Sequence, residues 1–251
     1  MKIGIGKKIA ASVFVLSLTA CDGVMDGLYD TDDVVTVGSS VYIDASNMNN
    51  WYYIDLHALQ ALAAEGKEQQ MSFPPYAIPT ELTGEWDGES MMCTYWYDVF
   101  DKGLKNNEKR SSRQADTQPE PEHWDVAIHR NNVRTNGATV WETSLQDISK
   151  AGIDTPLEGT GVKDEWNETD VWVDMSQMFN GVIGNQRIKM NTLLSSWLTI
   201  SLPPIPPAFT YNGNVFILRL NDGTYAALRL AEYRKNGTNC CMTIEYKYPL
   251  K

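Results

Sequence analysis

Apolar residues recur mostly at every second position of this chain, the period of a half-buried β-strand, and seldom at the spacing of a long helix. The clearest case is Trp124-Asp125-Val126-Ala127-Ile128-His129-Arg130. Trp124, Val126 and Ile128 fall on one side of it and Asp125, Ala127 and His129 on the other. Asn136-Gly137 predicts the hairpin turn that closes this strand, with Ala138 to Thr143 pairing back on it. Val41 to Ala45 and Trp51 to Leu56 predict a first hairpin across a polar turn. Asn214 to Leu220 and Thr224 to Leu230 predict another through Asn221-Asp222-Gly223, and Asn236-Gly237 leads into a last strand, Cys240 to Tyr248.

Between these strands the pattern weakens. Ala58 to Glu68 is rich in Ala, Leu, Glu and Lys and predicts a short helix, and Ser144 to Lys150 one or two helical turns. Prolines and glycines from Phe73 to Ser90 predict irregular chain, Met91 to Phe100 a strand, and the polar run Asp101 to Glu122 a mobile loop. Val171 to Asp174 and Trp197 to Leu202 read as strands. Pro203-Pro204-Ile205-Pro206-Pro207 cannot sit inside a sheet and predicts an exposed stiff loop. Short strands, recurrent turns and little helix predict an all-β fold of antiparallel sheets and hairpins with one or two short helices.

The ends change the picture. Lys2, Lys7 and Lys8, the apolar run Ile9 to Leu18, and Leu18-Thr19-Ala20-Cys21 have the form of a bacterial lipoprotein signal, cut before a lipidated Cys21. Residues 1–20 are then signal peptide, 21–40 an acidic tether carrying Asp22, Asp26, Asp30, Asp32 and Asp33, and 41–251 a single β domain. No later run approaches the roughly 20 apolar residues of a spanning helix, so the lipid would anchor the chain to a membrane. A net charge of −11 argues against nucleic acid as a partner. With Cys21 committed, Cys93, Cys240 and Cys241 allow at most one disulfide, Cys93 to Cys240 or Cys241, or are buried thiols.

Candidate chemistry is sparse. The three histidines, His57, His123 and His129, are too scattered for a metal cluster, and no nucleophile elbow, phosphate loop or zinc-protease motif occurs. A glycosidase-type carboxylate pair is decided by separation in space and not by sequence. With no catalytic constellation to name, a binding protein and not an enzyme is expected. His129, on a strand beside Arg130, reads as a hydrogen-bonded structural residue, and His123 as an exposed one.

Trp124-Asp125-Val126-Ala127-Ile128-His129-Arg130 with Val133-Arg134-Thr135-Asn136-Gly137 resembles the hallmark of the HmuY-like haemophores, outer-membrane lipoproteins of Gram-negative anaerobes. Asp44-Ala45-Ser46, Ser196-Trp197-Leu198, Asn214 to Arg219 with Asp222-Gly223, and Tyr246-Lys247-Tyr248-Pro249 continue the likeness. Only about 58–122 looks like a loop-rich enlargement. The resemblance implies a cleft holding one haem between two axial side chains. It also implies capture of haem or porphyrin from host haemoproteins and transfer to a TonB-dependent outer-membrane receptor, on the cell surface.

Carried onto this chain, the resemblance puts the first ligand region just after Val171 to Asp174, where Met175 and Met178 stand and no histidine does. That is similar to a methionine-ligand branch of the family, with Met178 the favoured axial ligand. Thioether sulfur is a soft ligand that favours ferrous haem. Apart from the resemblance, two methionines in a β protein read as core filler. In the second ligand region Leu202 stands at the histidine-type place and Ile205 at the methionine-type place. Neither can bind iron, so they are expected to line the apolar side of the pocket. The alternative is a surface glycan- or peptide-binding lipoprotein that has lost haem, with the 8 tryptophans and 12 tyrosines as stacking platforms.

Overall fold

The computed structural model describes residues 39–67, 71–78, 81–115, 119–201, 208–235 and 238–251. Cys21, Leu202, Ile205 and the Asn236-Gly237 turn lie outside them, as do the expected signal peptide and nearly all of the tether. Strand pairing is antiparallel throughout these residues. One five-stranded sheet runs, in spatial order, β1 (Ser39–Asp44), β18 (Thr238–Lys247), β17 (Tyr225–Lys235), β16 (Val215–Arg219) and β9 (Thr139–Glu142). A second orders β11 (Trp172–Asp174), β12 (Ile183–Gln186), β5 (Ser90–Tyr97), β6 (Asn106–Ala115) and β4 (Leu82–Glu85). The spine stretch belongs to a four-stranded sheet of β3 (Pro75–Ala77), β2 (Asn50–Ile54), β7 (Val126–His129) and β8 (Asn132–Thr135). Two hairpin-sized sheets pair β10 (Glu165–Asn167) with β13 (Ile188–Met190) and β14 (Leu198–Ser201) with β15 (Ala208–Tyr211). Among the described residues no helix is long and apolar enough to cross a membrane.

The alternation in β7 resolves into two buried faces. Val126 and Ile128 join the main core with Trp197, Phe216, Leu228 and Ile244, while Ala127 joins a second core with Trp51, Tyr53, Trp124 and Met190. Both sides are therefore apolar or internally bonded, the condition for a central strand. Helix α1 (Leu56–Ala64) buries Leu56 and Leu59 and is capped by Asp55, whose carboxylate accepts from Ala58 N at 2.9 Å. Two single-turn helices, α2 (Val99–Lys102) and α3 (Thr192–Ser195), link strands.

Several expectations are corrected. The spine is itself a hairpin, turning between His129 and Asn132 where Arg130 takes φ +52°, so Asn136-Gly137 does not close it. Asn136 instead uses its side chain to donate to Trp124 O at 2.9 Å. Thr139–Glu142 pairs with β16 and not with the spine. The expected first hairpin does not form: β1 pairs with the ten-residue β18 near the far end of the chain, and β2 lies between β7 and β3 in another sheet. The polar run expected as a loop holds the ten-residue strand β6, hydrogen-bonded on both edges to β4 and β5. Its backbone groups are satisfied by the ladder, and buried Ser111 donates to Glu85 O at 3.0 Å and accepts from Asp87 N at 2.9 Å, so low hydrophobicity does not prevent strand formation. The stretch Phe73 to Ser90 likewise carries β3 and β4. Cys93, Cys240 and Cys241 are buried free thiols.

Candidate functional site

The two methionines singled out by sequence share one turn. Beyond β11 the chain leaves the sheet at Met175 and rejoins it at Ile183, and the excursion is closed almost entirely by its own backbone. Met178 N donates to Met175 O (3.1 Å), Asn180 N to Gln177 O (2.9 Å), Gly181 N to Met178 O (2.9 Å) and Val182 N to Gln177 O (3.2 Å). Gly181 takes φ +74°, the left-handed conformation that glycine adopts without a Cβ penalty. Its carbonyl accepts from Val99 N at 3.1 Å, which ties the turn to α2.

Asp174 fixes the turn's entrance. Its carboxylate accepts from Ser176 N (3.0 Å), Ser176 Oγ (2.7 Å) and the Tyr95 hydroxyl (3.0 Å). Burial works against the charge, but these donors outweigh it and hold the carboxyl below its ordinary range. Tyr95 is pushed up by its own burial and by the same carboxylate, so the pair is a charged acceptor and a neutral donor at neutral pH.

Met175 and Met178 are half-buried on this turn. Phe179, next to Met178, is 91% exposed, and Phe100 on α2, 3.6 Å from where a Cβ on Gly181 would stand, is 62% exposed. Large aromatics left in water beside thioethers make an edge that gains free energy when a flat apolar ligand covers it. Sequence reasoning missed both phenylalanines, since no spacing distinguishes an exposed Phe from a core one; Asn180-Gly181 was the available turn signal. On the second ligand region, Leu198 and Trp197 are buried, and Ser201 pairs with Ala208. Leu202 and Ile205, between those strands in sequence, lie outside the described residues. Met190 is core, its sulfur 3.8 Å from Asn132 Nδ2.

The spine histidines stay clear of this turn's chemistry. His123 is exposed. His129 is buried, 5.3 Å from the Trp51 ring, with Nε2 2.7 Å from Met48 O. Burial pulls its pKa down to about 4, with Arg130 adding to the effect and the hydrogen bonds to Met48 and Asn132 opposing it. An unfolded histidine titrates near 6.5. Between the two values the unfolded chain holds the extra proton, so stability is full above about 6.5 and falls as pH drops towards 4, by about 3 kcal/mol. Urea denaturation across that range is expected to show the decline, and His129→Gln to flatten it.

A family model described as HmuY protein matches residues 47–246. The chain belongs to the HmuY family. A HmuY-like protein of Bacteroides vulgatus described as haem-binding is 30% identical, over 86% of this chain and 94% of that one, with a TM-score of 0.58. A Bacteroides fragilis protein described as a lipoprotein is 29% identical over 87% and 93%, with a TM-score of 0.60. The apo HmuY analog of Tannerella forsythia, at 19% identity over 86% and 97% and a TM-score of 0.61, shares the fold. Compared with curated proteins, the chain has no match. The HmuY β fold expected from the sequence is the one observed. For this member, the donor chemistry on the β11–β12 turn is thioether, and soft sulfur beside exposed aromatic surface fits a haem iron and its ring.

Proposed function

We propose that this HmuY-family chain is a non-enzymatic haem- or porphyrin-binding surface lipoprotein, lipidated at Cys21, that takes haem from host haemoproteins and passes it to an outer-membrane receptor. The observation that carries the reading is the turn holding Met178 and Met175, braced by Asp174 and Gly181 and flanked by exposed Phe179 and Phe100. In it Met178 would hold the haem iron, with Met175 as its neighbour, and Leu202 and Ile205, outside the described residues, would supply the apolar side of the pocket. Bound haem would supply an iron with an open coordination position. The protein's part is to present one soft sulfur and to exclude water from the ring. Thioether has no proton to lose, so binding through it varies little with pH.

The test is haem content after purification from haem-fed cells. Protein isolated with near-stoichiometric haem supports the reading. Haem-free protein that instead retains a ligand on a glycan array supports the alternative, a glycan-binding lipoprotein on the same scaffold.

A further inference from the structure

Three segments far apart in sequence meet at the start of α1. Asp55 caps the helix, His57 lies in its first turn, Asp125 precedes β7, and Asp222 sits in the turn between β16 and β17. Ligand-capable atoms of Asp55, His57 and Asp125 all lie within 4.8 Å of one another. The His57 ring is held edge to edge: Nδ1 is 3.5 Å from Asp125 Oδ2, and Nε2 is 3.0 Å from Asp222 Oδ2 and 2.5 Å from the Tyr248 hydroxyl. We propose that Asp55, His57 and Asp125 form a binding site for a divalent transition ion of the zinc type, with Asp222 and Tyr248 as its outer shell.

Helix capping accounts for only part of this cluster. Ala58 N takes one oxygen of Asp55 and Leu56 N one of Asp125, at 2.9 and 2.8 Å. A cap requires neither an imidazole between the carboxylates nor a third carboxylate behind it. A zinc site makes use of both. An ion on Nδ1 leaves Nε2–H to donate to Asp222, the arrangement that fixes the tautomer of a ligating histidine and raises its basicity. One imidazole with two carboxylates suits zinc better than calcium or magnesium, which prefer oxygen alone.

Charge and access agree with this. Three carboxylates face a single imidazole, and a dication relieves their mutual repulsion, against the weaker positive field of the helix N-terminus. The His57 side chain is 50% exposed, so an ion reaches it without unfolding and keeps a position for water. Zinc donors at about 2.0–2.2 Å stand roughly 3.4 Å apart in a tetrahedron. Modest rotations of the exposed His57 and half-buried Asp55 close the present spacing.

The site is independent of the haem reading and is tested separately. Full-length haem-free protein is titrated with Zn2+ by calorimetry, and with Co2+ while the visible d–d bands are followed. One saturable ion per chain is expected. His57→Gln and Asp55→Asn should each abolish the cobalt bands, and Asp222→Asn should weaken zinc about tenfold. His123→Ala and Met178→Ala should leave uptake unchanged. Circular dichroism establishes that each variant is folded; should His57→Gln not fold, Asp55→Asn and Asp222→Asn carry the test. No saturable uptake by the unaltered chain would overturn the proposal, as would uptake indifferent to Asp55→Asn and Asp222→Asn or abolished by His123→Ala.

Discussion

Replacing Met178 with alanine is expected to weaken ferrous haem binding about a hundredfold, a loss of about 2.7 kcal/mol. The size follows from what is removed and what stays. Alanine deletes the only donor atom that Met178 contributes, and the turn that carries it is held by backbone bonds and by Asp174, not by the methionine side chain. The apolar surface of Phe179 and Phe100 remains, so weak apolar retention of the ring should survive while the ligated spectrum disappears. The reciprocal substitution works in the opposite direction. Ile205→Met offers a second thioether at the position where the family resemblance places one, and should tighten ferrous haem about tenfold and give a six-coordinate, low-spin spectrum. Visible spectra and affinities of the two variants, measured side by side, check both. Indifference to both substitutions would place the pocket elsewhere.

Arg134→Ala is expected to cost about 4 kcal/mol of stability. Arg134 is 8% exposed, and its guanidinium lies 4.8 Å from the Trp124 ring centroid and 5.3 Å from those of Trp51 and Tyr53. It donates to the Tyr53 hydroxyl and, at 2.8 Å, to Glu120, while Tyr53 donates onward to Pro119 O at 2.9 Å. Alanine removes a charge from three ring faces, leaves a buried hydroxyl without its donor and opens a cavity beneath Trp124. Burial pushes the Tyr53 hydroxyl up to about 12, with the Arg134 cation pulling the other way, so Tyr53 stays a neutral donor at any physiological pH. Lysine keeps the charge and loses the planar fork, and should recover less than half of the stability. For a domain of this size 4 kcal/mol is roughly a 10 °C fall in Tm, read by thermal denaturation.

These two predictions rest on features of different legibility. The spine's alternation was visible because its two faces enter two cores, and the Asn221-Asp222-Gly223 hairpin because the turn chemistry is local. The pairing of β1 with β18 was not, since partners some two hundred residues apart leave no local trace. Strand β6 was hidden for a different reason: it is held by ladders on both edges, so its side chains need no apolar pattern. Nor could the spine's turn be placed from Asn136-Gly137, because Arg130 supplies the left-handed residue at a position where composition does not favour it.

The candidate site divides in the same way. Met175 and Met178 are close in sequence, so their sharing one turn was legible. The bracing of that turn by Tyr95, 79 residues before Asp174, was not. His57 and Asp222 are 165 residues apart, which is why a histidine that looks isolated in sequence can still meet several aspartates in space.

The central claim, that this HmuY-family chain binds haem through Met178, is tested most directly by titrating the full-length haem-free protein with ferrous and ferric haem and following the Soret and visible bands. The account predicts a red-shifted Soret band that saturates at one haem per chain, tighter in the ferrous state and little changed between neutral and mildly acidic pH. No shift and no saturation in either oxidation state would contradict it.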